Sequence, residues 1–233
     1  IDHHVVAVSA RKVRRTTPHE FSHLEKHKVQ PKKFVEDFTQ ESGVIQGARA
    51  RAEELGVESI TASVGAHLAV LASATGAKAI VETGTGAGVS ALWLLSGNST
   101  TTLATIDISA EHQDAARLAF AEAGIAANRT RVITGRAVDV LSNMADGAYD
   151  LVFLDADRET LDEQLIEAAR LLRPGGVVAI AHALWRDRVP DPAMRDDNTA
   201  TFRDSLRYLK SNSDFVTALS AVGDGLVIAS RRA

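Results

Sequence analysis

Three acidic residues stand where short apolar runs end. Glu82 follows Ala79-Ile80-Val81, Asp107 follows Leu103-Ala104-Thr105-Ile106, and Asp155 follows Leu151-Val152-Phe153-Leu154. Between the first two lies Gly84-Thr85-Gly86-Ala87-Gly88-Val89-Ser90. Glycines at this density let the backbone turn tightly and come close to a ligand, and a helix starting after them offers free N–H groups to an anion. The spacing is G-x-G-x-G, and Val89 stands where a dinucleotide fold wants its third glycine. Glu82, just ahead of the loop, repels a pyrophosphate and attracts a cation. Asp107, 19 residues beyond Gly88, suits a ribose diol, whose two hydroxyls a carboxylate can accept together; the alternative is a turn or capping aspartate. An acid-rimmed glycine loop calls for a ligand with cationic groups and a ribose. S-adenosylmethionine meets that description, and NAD meets it less well.

The elements that would position these residues alternate along the chain. Helical spacing of apolar residues is read over Phe34–Leu55 and Val64–Thr75. Strands are expected at Ala79–Thr83, Leu103–Asp107, Thr130–Thr134, Asp150–Asp155 and Gly176–Ala181, with helices beginning near Gly88, Ala110, Val138 and Glu159. The helix from Glu159 carries one apolar stripe, Leu161, Leu165, Ala168, Ala169 and Leu172, and Pro174-Gly175-Gly176 stops it. A last helix over Thr199–Lys210 precedes two strands, Phe215–Leu219 and Leu226–Ser230, whose short connection makes them antiparallel neighbours. Strands alternating with helices specify an α/β fold with a doubly wound, mostly parallel sheet. In such sheets ligands bind at the carboxyl ends of the strands, which is where all three acids fall.

Apolar residues make up 45% of the 233-residue chain and charged residues 24%, enough to build one sizeable core and to exclude wholesale disorder. The absence of cysteine excludes a disulfide scaffold, a thiolate zinc site and a cysteine nucleophile. No apolar run approaches the length of a membrane span and no leader peptide is read, so a cytoplasmic protein with no membrane partner is expected. The net charge of −4 is unevenly spread: residues 1–33 carry eight Lys or Arg against three acids and hold five of the eight histidines. They are read as a basic, flexible leader, and residues 34–233 as a single domain. Such a segment either binds nucleic acid or another anionic surface, or has no function.

The stretch from Ile60 to Asp157, continuing through Leu171–Gly176, resembles the cation-dependent O-methyltransferases, which include the catechol and caffeoyl-CoA enzymes. The resemblance rests on Val64-Gly65, Val81–Ser90, Thr105-Ile106-Asp107, Gly135-Arg136-Ala137 and Phe153–Arg158. It implies a Rossmann-like sheet of seven strands with an antiparallel last strand, an S-adenosylmethionine cofactor and a homodimer. By position, Val64, Glu82, Gly84, Thr85, Gly86 and Ser90 would lie around the methionine part of the cofactor. Asp107 would hold the ribose, Ile108 would lie beside the adenine, and Ala137 and Asp157 would lie around the adenine and its amine. Asp155 would bind metal near the transferred methyl.

Three departures bear on the reaction. The family's metal site pairs the equivalent of Asp155 with an adjacent Asp-Asn; here that pair reads His182-Ala183. Asp155 and His182, helped by Asp157, are what remains for Mg or Mn. Arg158 stands where the family has a lysine, and arginine stays protonated; it can steady an oxyanion or hold a carboxylate. His182 is then the candidate for taking the acceptor's proton, which makes Asp155, Arg158 and His182 the expected catalytic set. Trp185, in a segment over 185–198 that should overhang the site, either stacks on an aromatic acceptor or packs beneath the loop. Arg186 and Arg188 beside it would suit an acidic acceptor. The expected reaction is methyl transfer to a small phenolic or catechol-like hydroxyl. A tRNA-directed methyltransferase, a protein that binds S-adenosylmethionine without transferring methyl, and a nucleotide-dependent oxidoreductase are the alternatives.

Overall fold

The computed structural model describes residues 31–233, so most of the expected basic leader lies outside the described residues. Helices α1 (Pro31–Phe38), α2 (Gly43–Glu54) and α3 (Ala62–Ala74) precede the alternation. It runs β1 (Ala79–Thr83), α4 (Val89–Ser96), β2 (Thr102–Asp107), α5 (Ala110–Glu122), β3 (Thr130–Thr134), α6 (Ala137–Leu141), β4 (Tyr149–Leu154), α7 (Leu161–Leu171) and β5 (Leu172–Ile180). After α8 (Asp197–Ser211) come β6 (Phe215–Ser220) and β7 (Leu226–Arg231). Among the described residues no helix is long and apolar enough to cross a membrane.

The seven strands form one sheet in the order β3-β2-β1-β4-β5-β7-β6, and β7 alone is reversed relative to the other six. Successive strand residues feed two separate cores, as the two-residue side-chain period requires. Ile80, Leu151, Phe153 and Ala179 pack under α2–α5. Val81, Val152, Leu154, Val178 and Ile180 pack under α6, α7 and α8. Both faces of the sheet are therefore covered, the normal condition of a parallel sheet. The strand order reverses between β1 and β4, which leaves a crevice at their carboxyl ends.

Two expectations need correcting. Phe34–Leu55 is two helices, because Ser42 caps a new one: its hydroxyl accepts from the N–H of Ile45 at 3.3 Å. The first begins with Pro31, where a missing N–H costs nothing, and buries none of its residues; Phe34 and Phe38 face solvent. The fifth strand begins at Leu172, ahead of the expected Gly176. Tyr149 pairs with Leu172 but Leu151 pairs with Val177, so residues 173–176 bulge out between them. The proline and two glycines still end α7, by way of that bulge.

Candidate active site

A cavity of about 460 Å³ opens at the reversal of strand order, within the size range of small-molecule sites. Its floor is the loop from β1 to α4. Gly84 has φ +87°, and a Cβ there would stand 2.3 Å from the backbone oxygen of Asp155; no other residue allows the loop to lie against the end of β4. Gly88, at φ +89°, is the left-handed cap from which α4 starts. Thr85, Gly86 and Ser90 line the same wall.

Asp107 lines the cavity and also serves as a turn aspartate. Its Oδ2 accepts from the N–H of Gly86 at 2.9 Å and its Oδ1 from that of Ser109 at 2.9 Å. These bonds fix the carboxylate between loop and strand. His112, on α5, sits 3.3 Å from Asp107 Oδ1. Ile108 is 71% exposed at the rim, a bare apolar surface facing the opening. Ala137 and Asp157 also line the cavity. Asp157 is exposed and caps the short turn after it, accepting from the N–H of Glu159 at 3.1 Å.

Val64 and Glu82 do not line the cavity. Val64 belongs to the core beneath α3, and Gly65 beside it lies against the Trp93 ring, which leaves no room for a side chain. Glu82 is completely buried under the loop. Thr105 donates to its Oε2 at 2.6 Å and therefore accepts from Thr85, 2.7 Å away. Oε1 has no hydrogen-bond partner among the described residues. Burial pushes the Glu82 carboxyl up to about 7; the Ser90 and Thr105 hydroxyls oppose the rise and Asp107 adds to it.

At the far end Asp155 lines the cavity with only 14% of its side chain exposed. Burial holds its carboxyl well above the ordinary value; Glu82 and Glu58 add to this, and Arg158 pulls the other way. Arg158 lines the wall with its guanidinium 4.4 Å from the centre of the Trp185 ring. Trp185 itself is 8% exposed and stacks on Phe202 at 5.6 Å, so it packs beneath the loop and props Arg158. Arg188 is engaged elsewhere, with Asp196 at 2.8 Å, whereas Arg186 pairs with the cavity-lining Glu58 at 2.9 Å and lies 5.2 Å from the centre of the Trp185 ring. The Thr199 hydroxyl and, after it, the Arg188 guanidinium hold the Asp196 carboxyl far below its usual range.

His182 is 9% exposed and set back from the cavity wall. Its Nε2 lies 3.5 Å from Asp155 Oδ1 and its Nδ1 3.2 Å from Asp224 Oδ2. The two acids stand at opposite ring nitrogens, so they cannot share one ion with the imidazole. Ala183 is buried and offers no donor, and no group of three or more His, Asp or Glu suited to a metal exists among the described residues. Mg²⁺ and Mn²⁺ ask for about six hard, mostly oxygen donors; the residues expected to hold such an ion do not fit it.

Sequence reasoning missed several contributors. Val57-Glu58-Ser59-Ile60, between α2 and α3, forms one side of the cavity; no local periodicity marks it. His112 sits in the first turn of α5. Asp224 alone left a trace, as the one side chain between Gly223 and Gly225.

The family model of O-methyltransferases matches residues 44–232. That span takes in the glycine loop, the cavity-lining acids Glu58, Asp107, Asp155 and Asp157, and the whole sheet. The chain belongs to the O-methyltransferase family. It is similar to a protein named a probable O-methyltransferase in Mycobacterium tuberculosis, at 46% identity over 192 residues covering 82% of this chain and 86% of that one. Among solved structures it resembles a Corynebacterium glutamicum protein with a TM-score of 0.80 and 30% identity, covering 92% of this chain and 98% of the other. It also resembles the O-methyltransferase TomG of Streptomyces achromogenes, solved with S-adenosylmethionine and involved in tomaymycin synthesis. There the TM-score is 0.76 and the identity 27%, over 86% of this chain and 95% of that one.

Proposed function

We propose that this O-methyltransferase carries the methyl group of S-adenosylmethionine to a hydroxyl of a small, phenolic or catechol-like acceptor. The observation that carries the cofactor reading is Glu82: a buried carboxylate with one unpartnered oxygen, directly beneath a glycine loop. A ligand with cationic groups would favour the ionised form of this raised carboxyl, whereas a pyrophosphate would oppose it. TomG, similar in fold and bound to S-adenosylmethionine, supports the same reading.

Asp107 would hold the ribose hydroxyls, and Ile108 with Ala137 would cover the adenine. Gly84, Thr85, Gly86 and Ser90 would follow the methionine part. S-adenosylmethionine supplies an electrophilic methyl on a positively charged sulfur. The chain's own task is to bring the hydroxyl in line behind that methyl at roughly 3 Å and to take up its proton. Arg158, braced on Trp185, steadies developing negative charge on the attacking oxygen. Asp155 and His182 form the group that receives the proton as the C–O bond forms and the C–S bond breaks. A homodimer is the proposed working unit; α1, with Phe34 and Phe38 facing outward, is the surface a second copy would cover, and sedimentation velocity tests it.

Calorimetric titration with S-adenosylmethionine, with NAD as the control and then with catechol added, tests the proposal. Cofactor binding followed by methylated product supports it. Binding without transfer to any of a panel of phenols would leave a cofactor-binding protein, and NAD binding alone would overturn the reading.

A further inference from the structure

We propose that Asp224 is the positioning residue for His182, holding the ring as the Nδ1-protonated tautomer with a bare Nε2 turned to Asp155, and that this arrangement stands where a divalent ion was expected. The inference rests on the methyltransferase reading for its purpose but on separate observations for its geometry.

The first observation is the array itself. Asp224 Oδ2 lies 3.2 Å from His182 Nδ1. A carboxylate only accepts, so the proton belongs on Nδ1 and Nε2 keeps its lone pair. Nε2 then faces Asp155 Oδ1 at 3.5 Å. Two bare acceptors at that distance repel, and one proton between them removes the repulsion. That proton sits on the Asp155 carboxyl as an O–H donating to the bare Nε2. When the acceptor hydroxyl gives up its own proton, the pair takes it, leaving an imidazolium flanked by the Asp224 carboxylate. The sulfur leaves with the electron pair of the C–S bond, so charge and atoms balance without an ion.

The second observation is how Asp224 is held. Its turn carries Gly223 at φ +57° and Gly225 at φ +90°. A Cβ on Gly223 would stand 2.7 Å from Val64 Cγ2, and one on Gly225 2.6 Å from Leu184. The turn therefore lies close against two neighbours and presents one side chain. The other oxygen of that side chain, Oδ1, accepts from the N–H of Arg186 at 2.6 Å, and the Asp224 carbonyl accepts from Leu184 at 2.9 Å.

The third is the backbone so gripped. His182, Trp185, Arg186 and Asp187 all have left-handed φ, between +45° and +60°. Four non-glycine residues in that region within six positions persist only where surrounding contacts over-determine them. Asp224 supplies two of those contacts and splits its carboxylate between backbone and imidazole.

The test uses the full chain labelled with ¹⁵N-histidine, the His182 signals being identified by their loss in His182→Gln. At neutral pH the wild-type ring should show a protonated Nδ1 and a bare Nε2, and Asp224→Asn should reduce that tautomer severalfold. Millimolar manganese should leave the His182 signals as sharp as those of His67 and His112. A predominantly Nε2-protonated His182, an Asp224→Asn spectrum like wild type, or selective broadening of His182 by manganese would each overturn the proposal. Should Asp224→Asn fail to fold, the wild-type tautomer and the manganese titration decide it. S-adenosylmethionine titrated into the same sample reports on the functional reading separately: no binding would overturn that reading, while the tautomer would still report on Asp224.

Discussion

The two ends of the cavity are built on different principles. At the glycine-loop end, backbone does the work: Gly84 lies against β4, Gly88 starts α4, and Asp107 is tied down by the N–H groups of Gly86 and Ser109. Apart from the end of β4, every partner comes from β1, β2 and the helices that follow them. At the far end, side chains do the work. Asp155 leaves β4, His182 follows β5, Asp224 precedes β7, and Trp185 leans on α8 through Phe202. The first end is set mainly by local backbone geometry. The second depends on four separate segments meeting in register, and an altered residue there can change the chemistry while the glycine-loop end stays as it was.

The sharpest way to separate the ends is His182→Ala. Turnover of a catechol acceptor should fall about 10²–10⁴-fold, the usual worth of a proton-transferring group, while the S-adenosylmethionine Kd stays within about twofold. A parallel loss of cofactor affinity would show that the two ends are not independent.

Gly84→Ala attacks the loop end, forcing a side chain into left-handed backbone and onto the Asp155 carbonyl. Stability should drop by about 3 kcal/mol or more, read from the urea midpoint, and both ends should fail together because the strand they share is displaced.

Glu82 gives a pH signature. Its carboxyl is raised to about 7 in the folded chain, so the native state holds a proton that the unfolded state has already lost. Stability therefore falls as pH rises from about 4.5 to about 7 and is level above that, by on the order of 3 kcal/mol. Glu82→Gln should flatten much of this slope between pH 5 and 8 in denaturant titrations. Asp155, raised in the same direction, keeps the remainder. An unchanged slope would mean that Glu82 ionises freely.

Asp107→Ala is the smallest expected effect, a loss of about 1–3 kcal/mol in S-adenosylmethionine binding measured by calorimetry, with turnover at saturating cofactor near wild type. Unchanged affinity would remove Asp107 from the site.

Legibility followed the same division. β1 and β3 begin and end where the apolar runs said they would, and α5 starts at Ala110 behind its Ser109 cap. The split of Phe34–Leu55 was missed because a single capping serine outweighed a continuous helical period. The bulge in β5 was missed because pairing register is a property of two strands. Of the candidate residues, those on the glycine loop and at the ends of β2 and β4 line the cavity, as do Ala137 and Arg158. Val64, Glu82 and His182 stand behind it. Trp185 had two open readings, and only Phe202 and Arg158, distant in sequence, decide that it packs.

By itself, the sequence determined the alternation of strands and helices, the glycine loop and the acids at the strand ends. Each of these depends on period, capping or backbone freedom within a few neighbouring residues. The tertiary structure alone decided that Glu82 is sealed off with an unpartnered oxygen, and that Asp155 and Asp224 flank His182 from opposite sides. Burial and the choice of charged partner arise only when distant segments meet, and those two quantities set the protonation of the site.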